Sequence, residues 1–187
     1  PPGADSSLFN QHADPHALIT RQNVSRLKVA WRLNSPTALT HAPLLSQGRV
    51  YYADWGGVVT AADARTGRPL WSAQAEHPRK GRPWHGYCGT GVVAEGKLFE
   101  ASAEGRAFAF DARRGKLLWQ QRFTWHPDAG CRGALLYYNG LVYVPVSAVV
   151  RPGHSPSFFR GSVVALNPRD GQRVWEQDLL SVGQLPN

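Results

Sequence analysis

The sequence has no methionine and only 2 cysteines in 187 residues. Two cysteines are too few to frame a disulfide-built miniprotein. No apolar run approaches the ~20 residues of a membrane-spanning helix, so such a helix is excluded. The first ten residues, PPGADSSLFN, carry neither a basic start nor an apolar stretch. No signal peptide is legible there, and without an initiator methionine the chain reads as processed or trimmed. Acidic residues are also scarce: 13 Asp and Glu against 21 Lys and Arg leave a formal charge of +8. That balance favours acidic partners or surfaces and says nothing about fold. What is present is 42% hydrophobic and 18% charged, the composition of a globular chain long enough to bury a core.

Three segments align without gaps: residues 61–71 (AADARTGRPLW), 109–119 (AFDARRGKLLW) and 165–175 (ALNPRDGQRVW). In each, Asp or Asn is followed by Gly at +4 and Trp at +8. The periods are 119 − 71 = 48 and 175 − 119 = 56 residues. Upstream lies a second repeated element, LLSQGRVYY, VVAEGKLFE and LLYYNGLVY, with turn glycines Gly48, Gly96 and Gly140. Apolar runs around such turns are hairpins, and Asn139-Gly140 is the clearest type I′ signal. From turn Gly to Asp or Asn the distance is 15, 15 and 27 residues, so the third repeat carries a 12-residue insertion.

Each repeat reads as four antiparallel strands, A to D, with the Trp on D. Four-stranded units repeating every ~45 residues predict an all-β fold, a partial β-propeller of three blades. Residues 24–33 (VSRLKVAWRL) read as an orphan outer strand with Trp31 in the Trp position, after a short capped turn at 19–23. The expected organisation is an N-terminal extension at 1–18, turn and orphan strand at 19–34, and blades at 35–76, 77–124 and 125–180. The third blade holds the insertion at 148–159, and 181–187 is a tail.

Strand parity places the B–C loops and D–A connections on one face, the funnel face. It receives Trp55, Trp84, His85, Trp125, His126 and, from the insertion, His154. Loops on a rigid scaffold are the usual seat of function, although aromatics there also simply cover sheet ends. The repeated Trp71, Trp119 and Trp175, with Gly67, Gly115 and Gly171, are structural docking positions: a flat ring fills the gap between blades. Asp63 and Asp111 are expected to fix the C–D turns through side-chain to backbone hydrogen bonds. The opposite face is basic. Its C–D turns supply Arg65, Arg68, Arg113, Arg114, Lys116, Arg169 and Arg173, and Arg49 and Lys97 lie nearby. Candidate partners are an acidic protein or an anionic membrane surface; the plainer reading is solvated turns. Nucleic acid is disfavoured, because no groove-reading motif or stacking platform accompanies the charge.

The Ala-x-Asp-x-x-x-Gly-x-x-x-Trp repeat resembles the tryptophan-docking motif of pyrroloquinoline-quinone-dependent dehydrogenases. Residues 23–31 (NVSRLKVAW) resemble the strand that opens those proteins. Asp54-Trp55-Gly56-Gly57, His126-Pro127, VPVS at 144–147 and FRGSVVAL at 159–166 are most similar to the polyvinyl-alcohol-dehydrogenase-like branch. The resemblance covers about residues 19–180. It implies an eight-bladed propeller with pyrroloquinoline quinone and calcium in a central funnel, alcohol oxidation, and a periplasmic or otherwise extracytoplasmic setting.

The departures from that pattern carry weight. The family's vicinal Cys-Cys pair is missing. No carboxylate lies within 148–160, where close relatives hold an acidic calcium ligand, and Arg151 is there instead. A hard cation needs oxygen ligands. Cys131-Arg132-Gly133 replaces the Ile-Thr-Gly that commonly opens the third blade, and five further blades are absent. The reading is a propeller segment of a quinoprotein alcohol dehydrogenase-like protein, non-catalytic as this chain alone, with no cofactor or metal of its own. The alternative is a non-catalytic scaffold or assembly subunit binding an acidic partner. In either case another chain or copy completes the propeller.

Cys88 and Cys131 lie three residues before equivalent strand-A positions, Gly91 and Ala134, on adjacent blades. A disulfide between them is therefore expected, and the family's extracytoplasmic setting permits it. It would close a loop of 131 − 88 = 43 residues, worth roughly 4 kcal/mol in the chain-entropy model. Two free thiols, or a zinc site with His85 and His126, are the rival readings.

Overall fold

A computed structural model describes residues 19–77, 86–148 and 161–179. The chain divides into two units, Pro1–Arg32 and Leu33–Asn187. In the first, the expected turn is present: Thr20 N–H donates to Asn23 Oδ1 at 2.7 Å, and Val24 N–H donates to the Thr20 carbonyl at 2.9 Å. A 3-10 turn, Val24–Arg26, follows. The expected orphan strand over 24–33 has no ladder partner among the described residues, and its first three positions lie in the 3-10 turn.

The second unit is built from three antiparallel sheets. Blade 1 contains β1 (Leu44–Ser46), β2 (Arg49–Ala53), β3 (Val58–Asp63) and β4 (Pro69–Gln74). Blade 2 contains β5 (Val92–Ala94), β6 (Lys97–Ala101), β7 (Arg106–Asp111) and β8 (Leu117–Arg122). Blade 3 contains β10 (Leu136–Tyr138), β11 (Leu141–Ala148), β12 (Ser162–Leu166) and β13 (Arg173–Asp178), with β9 (Ala129–Gly130) pairing the far end of β11. The β9 addition is unannounced in the sequence, since two small residues make no pattern. The strand order is sequential in every blade, and no α-helix occurs among the described residues. No helix there is long and apolar enough to cross a membrane.

The three A–B turns are two-residue turns with both φ angles positive: Gln47 and Gly48, Glu95 and Gly96, Asn139 and Gly140. That is type I′ geometry, whose twist matches the flanking strands. The C–D turns are built alike. Asp63 Oδ1 accepts from Arg65 N–H and Thr66 N–H, Asp111 Oδ1 from Arg113 N–H and Arg114 N–H, and Asn167 Oδ1 from Arg169 N–H. Gly67, Gly115 and Gly171 each donate back to the carbonyl of that Asp or Asn at 2.8 Å. The Thr66 hydroxyl, followed by the Thr66 and Arg65 N–H groups, holds the Asp63 carboxyl below its usual range, and the Arg114 and Arg113 N–H groups do the same to Asp111.

Across each C–D ladder a small residue faces the indole: Ala61 opposite Trp71, Ala109 opposite Trp119, Ala165 opposite Trp175. The first two indoles reach the next blade. Trp71 Nε1–H donates to the Ala112 carbonyl at 3.2 Å, and Trp119 Nε1–H to the Pro168 carbonyl at 3.1 Å. Each ring lies on a bare glycine. A Cβ on Gly115 would stand 2.5 Å from Trp71, and one on Gly171 2.6 Å from Trp119.

The core lies in the two seams between blades. Tyr51, Ala53, Val59 and Ala61 meet Tyr87, Leu98, Phe108 and Phe110 in the first. Phe99, Ala101, Ala107 and Ala109 meet Leu135, Val142, Val144, Val146, Val164 and Leu166 in the second. Blade 2 is therefore buried on both sides, while β11 of blade 3 alternates buried and half-buried positions.

Candidate functional site: the inner rim of the blades

The B–C loops and D–A connections are tied together by backbone bonds. Tyr87 N–H donates to the Asp54 carbonyl at 3.1 Å, Ala103 N–H to Gly86 at 3.0 Å, and Cys131 N–H to Ser102 at 3.1 Å. The rim is thus a continuous edge running from blade 1 to blade 3. Asp54 and Ser102 occupy equivalent loop positions and serve equivalent ends. Asp54 Oδ1 accepts from Val58 N–H and its Oδ2 from Ser35 Oγ. Ser102 Oγ accepts from Glu104 N–H and Arg106 N–H.

The funnel-face candidates are distributed along this rim. Trp55 is half-buried after β2, and its Nε1–H donates to Thr40 Oγ1 at 2.9 Å. Trp125 is 84% exposed, with the Arg122 guanidinium 4.7 Å from its ring centre, within the range of a cation–π contact. His126 is half-buried, and its Nδ1 accepts from Asp128 N–H. Trp84, His85 and His154 lie outside the described residues.

Three buried groups were not singled out from the sequence. Glu76 is 1% exposed and accepts from Arg106 Nη1 at 2.9 Å. Glu100 is 1% exposed, and its Oε2 has no partner. Tyr87 is fully buried with an unpartnered hydroxyl, its ring edge-on to Phe108. Burial pushes the Glu100 carboxyl well above its usual value, and burial beside Glu100, Glu76 and Asp54 does the same to the Tyr87 phenol. The available signal was Glu100 within KLFEA. It becomes telling only once blade 2 is known to bury both faces.

No disulfide is present: Cys88 is a half-buried free thiol and Cys131 a buried one. The Cys131 Sγ–H donates to the Gly133 carbonyl at 3.4 Å. On the opposite side, Arg65, Arg68, Arg113, Arg114, Lys116, Arg169 and Arg173 are all exposed on the C–D turns and strand starts. Arg114 pairs with Asp111 at 3.3 Å, and Arg173 with Glu176 at 2.5 Å.

Calcium and a quinone, which the resemblance implies, can be tested against these side chains. Among the described residues no three of His, Cys, Asp and Glu gather where they could hold a metal ion. Asp54 is engaged by a backbone N–H and a hydroxyl, and Glu76 by a guanidinium. Glu100 sits where burial favours its neutral form. These residues do not make a seat for a hard cation, which wants several converging oxygen ligands.

Residues 81–178, more than half of the chain, match the family model PQQ_2, described as outer membrane protein assembly factor BamB. Residues 8–93 match the model for the beta-propeller domain of glucose/ethanol/alcohol dehydrogenase. The chain is 26% identical over 179 residues to a polyvinylalcohol dehydrogenase of a Pseudomonas species, covering 93% of this chain and 28% of that protein. A europium-containing methanol dehydrogenase superposes with a TM-score of 0.67 at 26% identity, over 86% of this chain and 28% of that one. A quinohemoprotein alcohol dehydrogenase from Pseudomonas putida HK5 gives 0.73 at 25% identity, over 90% of this chain and 25% of that one. BamB from Moraxella catarrhalis, at 21% identity and a TM-score of 0.62, shares the fold. The chain thus spans about a quarter of the dehydrogenases it matches. With three sequential four-stranded blades and a family model matched over more than half its length, the chain belongs to the PQQ-type β-propeller family.

Proposed function

We propose that this chain is a three-blade segment of a quinoprotein alcohol dehydrogenase-like propeller, supplying scaffold and part of the funnel rim without oxidising alcohols by itself. The carrying observation is the pair of seams set against the ends. Blade 2 is covered on both sides, whereas Leu136, Tyr138, Val174 and Trp175 of blade 3 are 59%, 60%, 54% and 40% exposed. A propeller abolishes such ends by closing, so another chain, another copy or further blades complete this one. The setting is periplasmic or otherwise extracytoplasmic, as the resemblance implies.

A second reading has its own support, because the matched family model over residues 81–178 is described as that of an assembly factor. Under it the chain is a non-catalytic scaffold whose basic turns face an acidic protein. Reconstitution with pyrroloquinoline quinone and calcium, followed by a dye-linked alcohol assay, tests the first reading. The isolated chain should show no turnover, and full turnover would overturn it. Pull-down from periplasmic extract separates the two: further blades of a dehydrogenase support the first, and an acidic protein released by salt supports the second.

A further inference from the structure

The inner edges of blades 2 and 3 draw together toward the rim. Leu135 N–H donates to the Thr90 carbonyl at 2.8 Å. One step further, a Cβ on Gly89 would stand 2.1 Å from the Gly133 carbonyl oxygen and 3.4 Å from the Arg132 carbonyl carbon. Only a bare backbone permits that approach. The next residues on the two converging chains are Cys88 and Arg132, with Cys131 directly behind. The Gly133 carbonyl that Gly89 crowds is also the acceptor of the Cys131 thiol. Cys88 and Arg132 interact electrostatically, as do Cys88 and Cys131. The two cysteines of the chain therefore flank the same close backbone approach across a blade boundary, one half-buried and one fully buried.

We propose that Cys88 and Cys131 are a redox pair that closes into a disulfide and clamps blade 2 to blade 3 at the inner rim. The oxidant is a disulfide, small or protein-borne. Cys88, the more accessible, loses its proton to water and attacks one sulfur of that disulfide; a Cys88 mixed disulfide forms and one oxidant thiolate leaves. Cys131 then gives up its proton and attacks Cys88 Sγ. The Sγ–Sγ bond forms and the second oxidant thiolate leaves. Two thiols lose two protons and two electrons, and the oxidant's disulfide becomes two thiols. Attack requires the thiolate. Burial raises both thiols, that of Cys131 to about 12, so both steps are slow at neutral pH and quicken as pH rises. The inference does not rest on the quinoprotein reading.

The test equilibrates the full native chain in glutathione buffers of graded oxidised-to-reduced ratio, then applies acid quench, alkylation in denaturant and non-reducing peptide mapping. A linked Cys88–Cys131 peptide should dominate at the oxidised end and vanish at the reduced end. Cys131→Ser should leave Cys88 as its glutathione adduct, and Cys88→Ser should leave Cys131 a free thiol. The oxidised wild-type chain should melt several degrees above the reduced one. Glutathione on Cys88 beside a free Cys131, two free thiols, or a linked form melting no higher than the reduced one would each overturn the proposal. The wild-type mapping stands even if a variant folds poorly.

Discussion

Trp119 and Trp175 hold the same place in the repeat, and their surroundings differ. Both face an alanine across the C–D ladder. Trp119 also donates to the Pro168 carbonyl and lies on Gly171 of the next blade. Trp175 is 40% exposed, and its ring contact is with Tyr143 of its own blade. The shared motif produces an equivalent ladder, but a turn from the following blade converts the indole into a seam. The comparison extends to whole blades. In the outer strand β8 of blade 2, Trp119 and Arg122 are half-buried, whereas every residue of the equivalent strand β13 in blade 3 is exposed.

The widest break in that comparison is truncation of the indoles. Trp71→Ala or Trp119→Ala should cost about 3 kcal/mol in chemical denaturation, the range for removing a large packed ring. Trp175→Ala in the isolated chain should cost under about 1 kcal/mol, since no neighbouring turn among the described residues receives it. Equal costs at all three would remove the distinction.

Glycines sharpen it on a smaller scale. Gly115 and Gly96 share a left-handed φ, of +73° and +70°. A Cβ on Gly115 meets Trp71 at 2.5 Å, while one on Gly96 meets nothing within 4 Å. Alanine in the left-handed region costs roughly 1 kcal/mol by itself. Gly96→Ala should show about that loss and Gly115→Ala clearly more, measured by the same denaturation.

The buried acids give a pH signature. The folded state raises the Glu100 pKa above the unfolded value of 4.5. Between those values the folded state keeps a proton that the unfolded chain has released, so stability falls as pH rises. Glu100→Gln should flatten this fall: denaturation midpoints near those of wild type at pH 4, and a higher midpoint for the variant at pH 8. Tyr87, Glu76, Arg106 and Cys131 surround this region, so the comparison is best made against wild type at each pH.

The smallest effect belongs to the basic turns. Arg113→Ala or Arg169→Ala, both exposed, should shift stability by no more than about 0.5 kcal/mol. Any anionic partner held there should weaken between low and physiological salt, because exposed charges are screened over roughly 8–10 Å. Salt-indifferent binding would place the partner elsewhere.

The repeat was legible because its parts are local. A type I′ turn needs its glycine, the Asp or Asn needs N–H groups two and three residues on, and the alanine two residues before it leaves room for an indole. What was not legible depends on neighbours far away in the chain. Glu100 reads as an ordinary strand residue until blade 1 covers that side of blade 2, and β9 forms only because β11 extends to Ala148. Residues 24–33 have the composition of an outer strand, but composition cannot provide a ladder.

The central claim is that this is an open array of blades whose ends are covered by something else. Native mass spectrometry of the chain as the cell holds it tests that most directly. The account predicts a longer parent polypeptide, a multiple of this chain, or a complex with a second one. A monodisperse monomer of this chain alone, with Trp175 and Tyr138 freely open to solvent in hydroxyl-radical footprinting, would contradict it.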